Sequence, residues 1–297
     1  SAMGRATEEI GRALDALKPD LIVILGDRYE MLAAASAALV LRLPIAHLHG
    51  GELTEGAFDD AIRHAITKMA HLHFAAAESY ARRIVQLGED PDHVFCVGAP
   101  GLDALVHEPA LSRDALAETV EFPWDRRFAL VTFHPETLAD GDPSSAVRAL
   151  CDALAHTPDL AVLITGVNAD PDRDAVAAAL SAFAEKEPAS RRIVASLGQR
   201  RYLSAMHHAA VVIGNSSSGL IEAPAVGAPT VNIGGRQAGR LRAVSVIDSE
   251  ANEKAIAAAI RKALDPAFRE AAKTQTPPYG RGGASKAISE ILATHPL

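Results

Sequence analysis

Short β-branched apolar runs alternate along the whole chain with alanine-rich segments of helical period, and this rhythm restricts the fold more than any single motif. "LIVIL" (21–25), "IAHLH" (45–49), "HFAAA" (73–77) and "VFCVG" (94–98) form one set of runs, with helical segments such as "RYEMLAAASAALVLR" between them. "FALVTFH" (128–134), "LAVLITG" (160–166), "RIVAS" (192–196), "VVIG" (211–214) and "TVNIG" (230–234) form a second. A strand apolar at nearly every position is covered on both faces, as in a parallel sheet layered between helices. The pattern therefore predicts an α/β fold. Between the two sets lies the polar stretch "HEPALSRDALAETVEFPWDRR", with Pro109 and Pro123, which marks a domain junction. The expected organisation is a Rossmann-like lobe over 1–122, a second, nucleotide-binding lobe over 123–278, and a C-terminal helix within 279–297 packing back on the first lobe.

Charge and cysteine content narrow the function. With 37 acidic against 29 basic residues the formal charge is −8, which gives no footprint for nucleic acid or an anionic membrane. An anionic ligand must be met by a local site. Cys96 and Cys151 lie far apart and lack a CxxC partner, so neither a disulfide framework nor a zinc knuckle is expected. No apolar stretch reaches membrane-spanning length, and the expected compartment is the cytoplasm.

In doubly wound sheets ligands collect beyond the carboxyl ends of the strands, so the residues just after each run are the candidates. They are Asp27 and Arg28 in "LIVILGDRYE", His49 and Glu52 in "IAHLHGGE", His134 in "LVTFHPET", Asn215 to Ser218 and Glu222 in "VVIGNSSSGLIEAP", and Arg236 in "VNIGGRQAGR". The stretch "HGGELTEGAFDDAIRH" adds Glu55, Asp59, Asp60, Arg63 and His64, with Arg63 four residues after Asp59 and His64 four after Asp60. That spacing sets each carboxylate beside a cationic or hydrogen-bonding partner on one helix face. In "GNSSSGLIEA" hydroxyls and backbone N–H groups gather where a strand meets a helix start, a cradle suited to phosphate, although such a run also serves as a plain N-cap. Arg236 after the next strand favours the phosphate reading. Each of these residues singly has a structural counterpart: a capping aspartate, a surface ion pair, a strand-end histidine. No GxxxxGK[ST] loop is present.

Together, "LGDRYE", "HGGELTEGAFDDAIRHAITKMAHLHF", "FHPET", "GNSSSGLIEAP" and "NIGGRQAGR" resemble the hydrolysing UDP-N-acetylglucosamine 2-epimerases of sialic and related nonulosonic acid synthesis. The resemblance runs in order from the first helix to "PYGRGGAS". It implies a GT-B arrangement of two Rossmann-like lobes with the nucleotide sugar in the cleft. It further implies release of UDP and N-acetylmannosamine from UDP-N-acetylglucosamine, with no NAD or essential metal, in a homodimer or homotetramer. Family members carry a strand and a glycine-rich loop ahead of "GDRYE", so the first lobe is expected to lack its N-terminal part. By the same resemblance Asp27, Glu52 and Asp59 are the catalytic carboxylates, with Asp60 the alternative to Asp59, and Arg28 and His134 contact the diphosphate. Ser216 and Ser217 hold the β-phosphate, Glu222 the ribose, Arg236 the phosphate side, and Ser196 and Leu197 offer backbone to uracil.

Other readings remain open at this level. A UDP-2,4-diacetamido-6-deoxy sugar could replace UDP-N-acetylglucosamine, and GDP could replace UDP. A glycosyltransferase of the same fold would use the same cradle, and a non-catalytic nucleotide-sugar module would bind without turnover. The pair His47 and His49 with His134 would suit an amidohydrolase zinc site only on a (β/α)₈ barrel.

Overall fold

The structure, a computed structural model, describes residues 2–54, 59–135, 144–166 and 173–296. It divides into two compact units, Ser1–Asp103 with Tyr279–Leu297, and Ala104–Pro278.

The first unit begins with α1 (Ala2–Leu17), β1 (Ile22–Leu25), α2 (Tyr29–Val40), β2 (Ile45–Leu48), α3 (Asp59–Met69), β3 (Leu72–Ala75), α4 (Glu78–Gln86) and β4 (Val94–Cys96). The strands lie side by side in the order β1-β2-β3-β4, every neighbour parallel. Every residue of β2 and β3 is buried, His47 and His73 included, as expected of central parallel strands covered on both faces. Four alanines of α2 are buried: Ala35 and Ala38 join the sheet core, and Ala37 lies toward Gly11 of α1. That core joins Ile24, Ala35, Ala38, Ile45 and Ile66, with Leu14 of α1 packed against them. The edge strand β1 departs from expectation: Val23 and Leu25 are 52% and 56% exposed. Hydrophobicity alone does not distinguish an edge strand from a central one.

The second unit runs α5 (Ala104–His107), α6 (Arg113–Ala117), β5 (Phe128–Thr132), α7 (Ser145–Ala155), β6 (Ala161–Thr165), α8 (Arg173–Glu185), β7 (Arg191–Val194) and α9 (Gly198–His208). It continues with β8 (Val211–Gly214), α10 (Glu222–Ala225), β9 (Thr230–Ile233), β10 (Val246–Ser249), α11 (Glu253–Ala263) and α12 (Pro266–Thr274). Its parallel sheet has the order β10-β9-β8-β5-β6-β7. Strand order reverses between β5 and β8, so this pair forms the topological switch point. Alternate residues of β5 feed opposite faces: Ala129 and Val131 join Ile164, Ile213, Ile233 and Ile256, while Phe128 and Leu130 join Leu163, Val212 and Met206.

The second unit starts earlier than the boundary at 122 predicted from the Pro-containing stretch. Leu116 and Trp124 belong to its core, Trp124 meets Phe122 and Phe128 edge-on, and Arg113 donates to the Trp124 carbonyl at 2.6 Å. The last helix, α13 (Ala284–Thr294), belongs to the first unit, with Ile288 packed beside Leu48 and Phe74. Asp103 caps it across the sequence, accepting from the N–H groups of Gly283, Ala284 and Ser285 at 2.7–2.9 Å. Among the described residues no helix is long and apolar enough to cross a membrane.

Candidate active site

In the first unit the parallel register sets Leu25 opposite Leu48, and the Gly26 N–H continues the ladder to the Leu48 carbonyl at 3.0 Å. Asp27 and His49 therefore leave adjacent strands on the same edge of the sheet. Gly26 makes the turn at φ +83°.

Arg63, reached from α3, is the hub of this edge and is only 2% exposed. One of its terminal nitrogens, Nη2, donates to the Asp27 carboxylate and to Thr54 Oγ1 at 2.9 Å. The other, Nη1, donates to the Glu52 carbonyl at 2.8 Å and to Asp60 Oδ1 at 3.1 Å. A buried guanidinium satisfied in this way binds the β1 and β2 ends to the head of α3. Sequence spacing pairs Arg63 with Asp59, four residues earlier; the structure gives the place to Asp60, three earlier, because the guanidinium turns inward to Asp27. The second spacing-based pair is present, His64 Nε2 lying 3.5 Å from Asp60 Oδ2.

Asp60 also accepts the Thr54 N–H at 3.1 Å, so it is a structural acceptor. Asp59 has no hydrogen-bond partner among the described residues. Burial and the charge of Asp27 push its carboxyl above the ordinary value, against the opposing pull of Arg63. Of the adjacent pair, Asp60 is tied to Arg63 and Thr54, and Asp59 has no such tie among the described residues. Glu55 lies outside the described residues.

Glu52 is buried, 4% exposed, and its Oε1 lies 2.6 Å from His49 Nδ1. His49 holds the left-handed backbone conformation, φ +64°. The following Gly51, at φ +75°, passes so close to α4 that a Cβ there would sit 2.3 Å from the Tyr80 carbonyl oxygen. His47 is wholly buried, its Nε2 2.9 Å from the Gly26 carbonyl and its Nδ1 3.3 Å from Thr67 Oγ1. Both ring nitrogens are thus engaged inside the fold, and two open sheets replace the barrel that a zinc reading requires. Arg28 is largely exposed and lies against Glu30 at 3.2 Å. That contact raises its already high pKa.

In the second unit the sequence-predicted residues gather at the switch point. His134, just beyond β5, donates its N–H to Asn215 Oδ1, and Asn215 Nδ2 donates back to the His134 carbonyl, both at 2.8 Å. The buried Asn215 side chain thus spans the gap between diverging chains. Arg236 Nη1 and Gln237 Nε2 both donate to the Asn215 carbonyl, at 3.3 and 2.8 Å. Beyond β8 the chain forms only a single 3₁₀ turn, Ser217–Gly219, before the short α10. In place of the predicted helix start there is a single short turn, leaving local N–H groups and hydroxyls as the available anion donors. Ser216 Oγ accepts from the Ser218 N–H and hydroxyl, at 3.4 and 3.1 Å. Ser218 meets Tyr202 at 2.7 Å, which reaches Thr132 at 3.1 Å. Glu222 is pushed above the usual carboxylate range by burial, and among the described residues its buried Oε2 has no hydrogen-bond partner. Ser196 Oγ accepts from the Gly198 N–H at 3.1 Å as α9 begins.

Two members of these networks escape sequence reasoning. Tyr202 sits mid-helix with nothing nearby to mark it, and Gln237 acts only by folding back on the strand preceding its own. The interior role of Arg63 is equally silent, since its side chain looks like that of any surface helix residue until Asp27 is placed beside it.

Residues 1–293 match the family model described as UDP-N-acetylglucosamine 2-epimerase. The chain is 40% identical over 252 residues to the GDP/UDP-N,N'-diacetylbacillosamine 2-epimerase (hydrolyzing) of Campylobacter jejuni, covering 85% of this chain and 66% of the relative. It is 33% identical over 279 residues to the UDP-N,N'-diacetylbacillosamine 2-epimerase (hydrolyzing) of Legionella pneumophila, covering 94% and 72%. The chain thus spans about two thirds of the length of these relatives. The fold matches the crystal structure of UDP-GlcNAc 2-epimerase from Neisseria meningitidis bound to UDP-GlcNAc, with a TM-score of 0.82, 18% identity, and coverage of 99% of this chain and 81% of that one.

Proposed function

The chain belongs to the UDP-N-acetylglucosamine 2-epimerase family, and from that premise we propose that it hydrolyses a UDP-linked 2-acetamido sugar with inversion at C2. The C2 proton is removed as the C1–O bond to UDP breaks, giving a 2-acetamidoglucal. Water then adds across the double bond and releases the free 2-epimer. Such a path needs proton-transfer groups held in different protonation states. The observation that carries the reading is the edge beside β1 and β2: Asp27 is held by the buried Arg63 guanidinium, while Asp59, without a hydrogen-bond partner among the described residues, has its carboxyl shifted upward. In this reading Asp59 delivers a proton, and Asp27, fixed by Arg63, is the charged neighbour beside it.

Ser216, Ser217 and Arg236 hold a phosphate in this reading, and His134 stabilises the departing diphosphate. Glu222, with its orphan buried oxygen, accepts from a ribose hydroxyl. Arg28, largely exposed beside Glu30, is the diphosphate contact that the resemblance implies; Arg63 acts by positioning Asp27 and the Glu52 segment. The names of the Campylobacter and Legionella relatives favour a 2,4-diacetamido-6-deoxy sugar of the diacetylbacillosamine type linked to UDP, or to GDP as the Campylobacter name also allows. The family description supports UDP-N-acetylglucosamine as the second reading.

Proton NMR in heavy water, with each UDP-sugar in turn, tests both. UDP release with deuterium at C2 of the inverted sugar is the expected result, faster with the diacetamido substrate. UDP release with the C2 proton retained, or sugar transfer to an added acceptor, would overturn the epimerase reading.

A further inference from the structure

We infer that His49, rather than Glu52, is the catalytic group presented to the sugar, and that Glu52 acts through it as a positioning residue. The inference rests on the epimerase reading and adds a residue and a proton position to it.

Glu52 sits in the wrong place for direct contact with a substrate. It is 4% exposed, and its Oε1 is taken up by His49 Nδ1 at 2.6 Å, the short separation of a charge-assisted hydrogen bond. His49 lies outside it, with its side chain 21% exposed. A carboxylate can only accept, so the shared proton belongs to Nδ1, and in the neutral ring this leaves the lone pair on Nε2. Among the described residues Nε2 has no hydrogen-bond partner. The arrangement is that of a histidine base oriented by a buried acid.

The backbone supports the same reading independently. His49 adopts φ +64°, a conformation that costs a non-glycine residue about 1 kcal/mol or more. Two glycines follow directly, either of which would take such a bend more cheaply, so the turn itself does not call for an imidazole. What the left-handed residue accomplishes is to turn the chain off the end of β2 so that the ring meets the Glu52 carboxylate three residues on.

In the elimination, His49 Nε2 takes the C2 proton. The C2–H electron pair becomes the second bond of C1=C2, and the C1–O pair leaves with the β-phosphate oxygen of UDP. The imidazolium so formed is paired with Glu52 and afterwards gives its proton to solvent, which places solvent hydrogen in the product pool.

The test uses the full chain with a UDP-sugar that it turns over. His49→Ala should lose about 100-fold or more in kcat while still binding UDP, and added imidazole should restore part of the rate. Glu52→Gln should lower kcat with little change in KM. Independently of turnover, nitrogen-15 NMR of the wild-type protein, with His49→Gln to assign the signals, should show the neutral His49 ring protonated at Nδ1 and bare at Nε2. A ring protonated at Nε2, or His49→Ala retaining a rate near wild type, overturns the inference and leaves the epimerase reading intact. A wild-type chain that releases UDP without exchanging the C2 proton overturns the epimerase reading and the histidine's role with it.

Discussion

At the ends of β1 and β2 the polar groups are charged and nearly saturated by one another, whereas at the ends of β5 and β8 they are mostly neutral and joined in a chain of hydroxyls and amides. Arg63, Asp27, Asp60 and Glu52 make the first cluster; Thr132, Tyr202, Ser218, Ser216 and Asn215 make the second. The difference follows from the tasks. A group that moves protons needs its pKa set by neighbouring charge and burial, which in turn demands counter-charges to keep the fold stable. A phosphate needs donors already in place, and a neutral scaffold can hold them without competing for the anion.

Removing the counter-charge should break the comparison most visibly. Arg63→Met leaves Asp27 and Asp60 facing each other without a cation and strips the Glu52 carbonyl of its donor. The expected loss is about 3 to 5 kcal/mol of unfolding free energy, read from urea denaturation. Arg236→Met, at a partly exposed side chain in the neutral cluster, should cost less than about 1 kcal/mol and instead weaken UDP binding. Equal costs at the two sites would remove the distinction drawn between them.

The second site should be sensitive to backbone shape as well. Gly214 has φ +145°, and a Cβ there would sit 1.9 Å from the Thr132 carbonyl oxygen, so Gly214→Ala forces β8 away from β5. The expected cost is about 3 kcal/mol in the same denaturation assay. Gly235→Ala, with nothing within 4 Å of the added atom, should fall within about 0.5 kcal/mol of wild type.

Acid should separate the units further. Burial holds His47 down to about 4, from an ordinary 6.5, and the same cause brings His73 to about 4. Between those values the unfolded chain binds the proton that the folded one refuses, so this contribution is full above pH 6.5 and is lost as pH falls toward 4. For His47 alone the loss is roughly 2 to 3 kcal/mol. Glu222 has the opposite sign: burial raises its pKa, so the folded state keeps a proton that the unfolded chain gives up, and its contribution improves as pH falls through the raised value. Amide exchange followed residue by residue from pH 7 to about 4.5 should show β2 losing protection faster than β8, and His47→Gln should flatten the trend in β2.

The layering was legible because parallel strands advertise themselves by unbroken apolar runs, and "VVIG" coincides with β8. Edge strands were less so: "LIVIL" is as apolar as a central strand yet leaves Val23 and Leu25 exposed, while β10, with Asp248 in its middle, does not stand out as a strand at all. Candidate residues that directly follow a strand, such as Asp27 and His134, could be found from position alone. What a tertiary partner makes of a candidate could not be. Arg63 has the sequence neighbours of a surface helix residue, and its burial depends on Asp27, 36 positions away. His49 depends on a backbone angle that no residue type announces.

The smallest expected effect is the sharpest probe of the neutral cluster. Tyr202 is raised above the ordinary phenol pKa by burial, so its hydroxyl remains protonated throughout the working range, with Ser218 at 2.7 Å and Thr132 at 3.1 Å. Tyr202→Phe keeps the ring packing and removes only that oxygen. The Thr132 hydroxyl still has Thr165 at 2.8 Å, and Ser218 still has Ser216 at 3.1 Å, so neither neighbour is stranded. The stability loss should therefore be about 1 kcal/mol, the net worth of a neutral hydrogen bond. If the hydroxyl chain serves to hold the Ser216–Ser218 turn in its donor geometry, UDP affinity should fall several-fold in calorimetric titration while the fold barely weakens. An unchanged affinity would mean that the turn is held by the Asn215 side chain and its Gln237 contact alone, and that the chain of hydroxyls is packing.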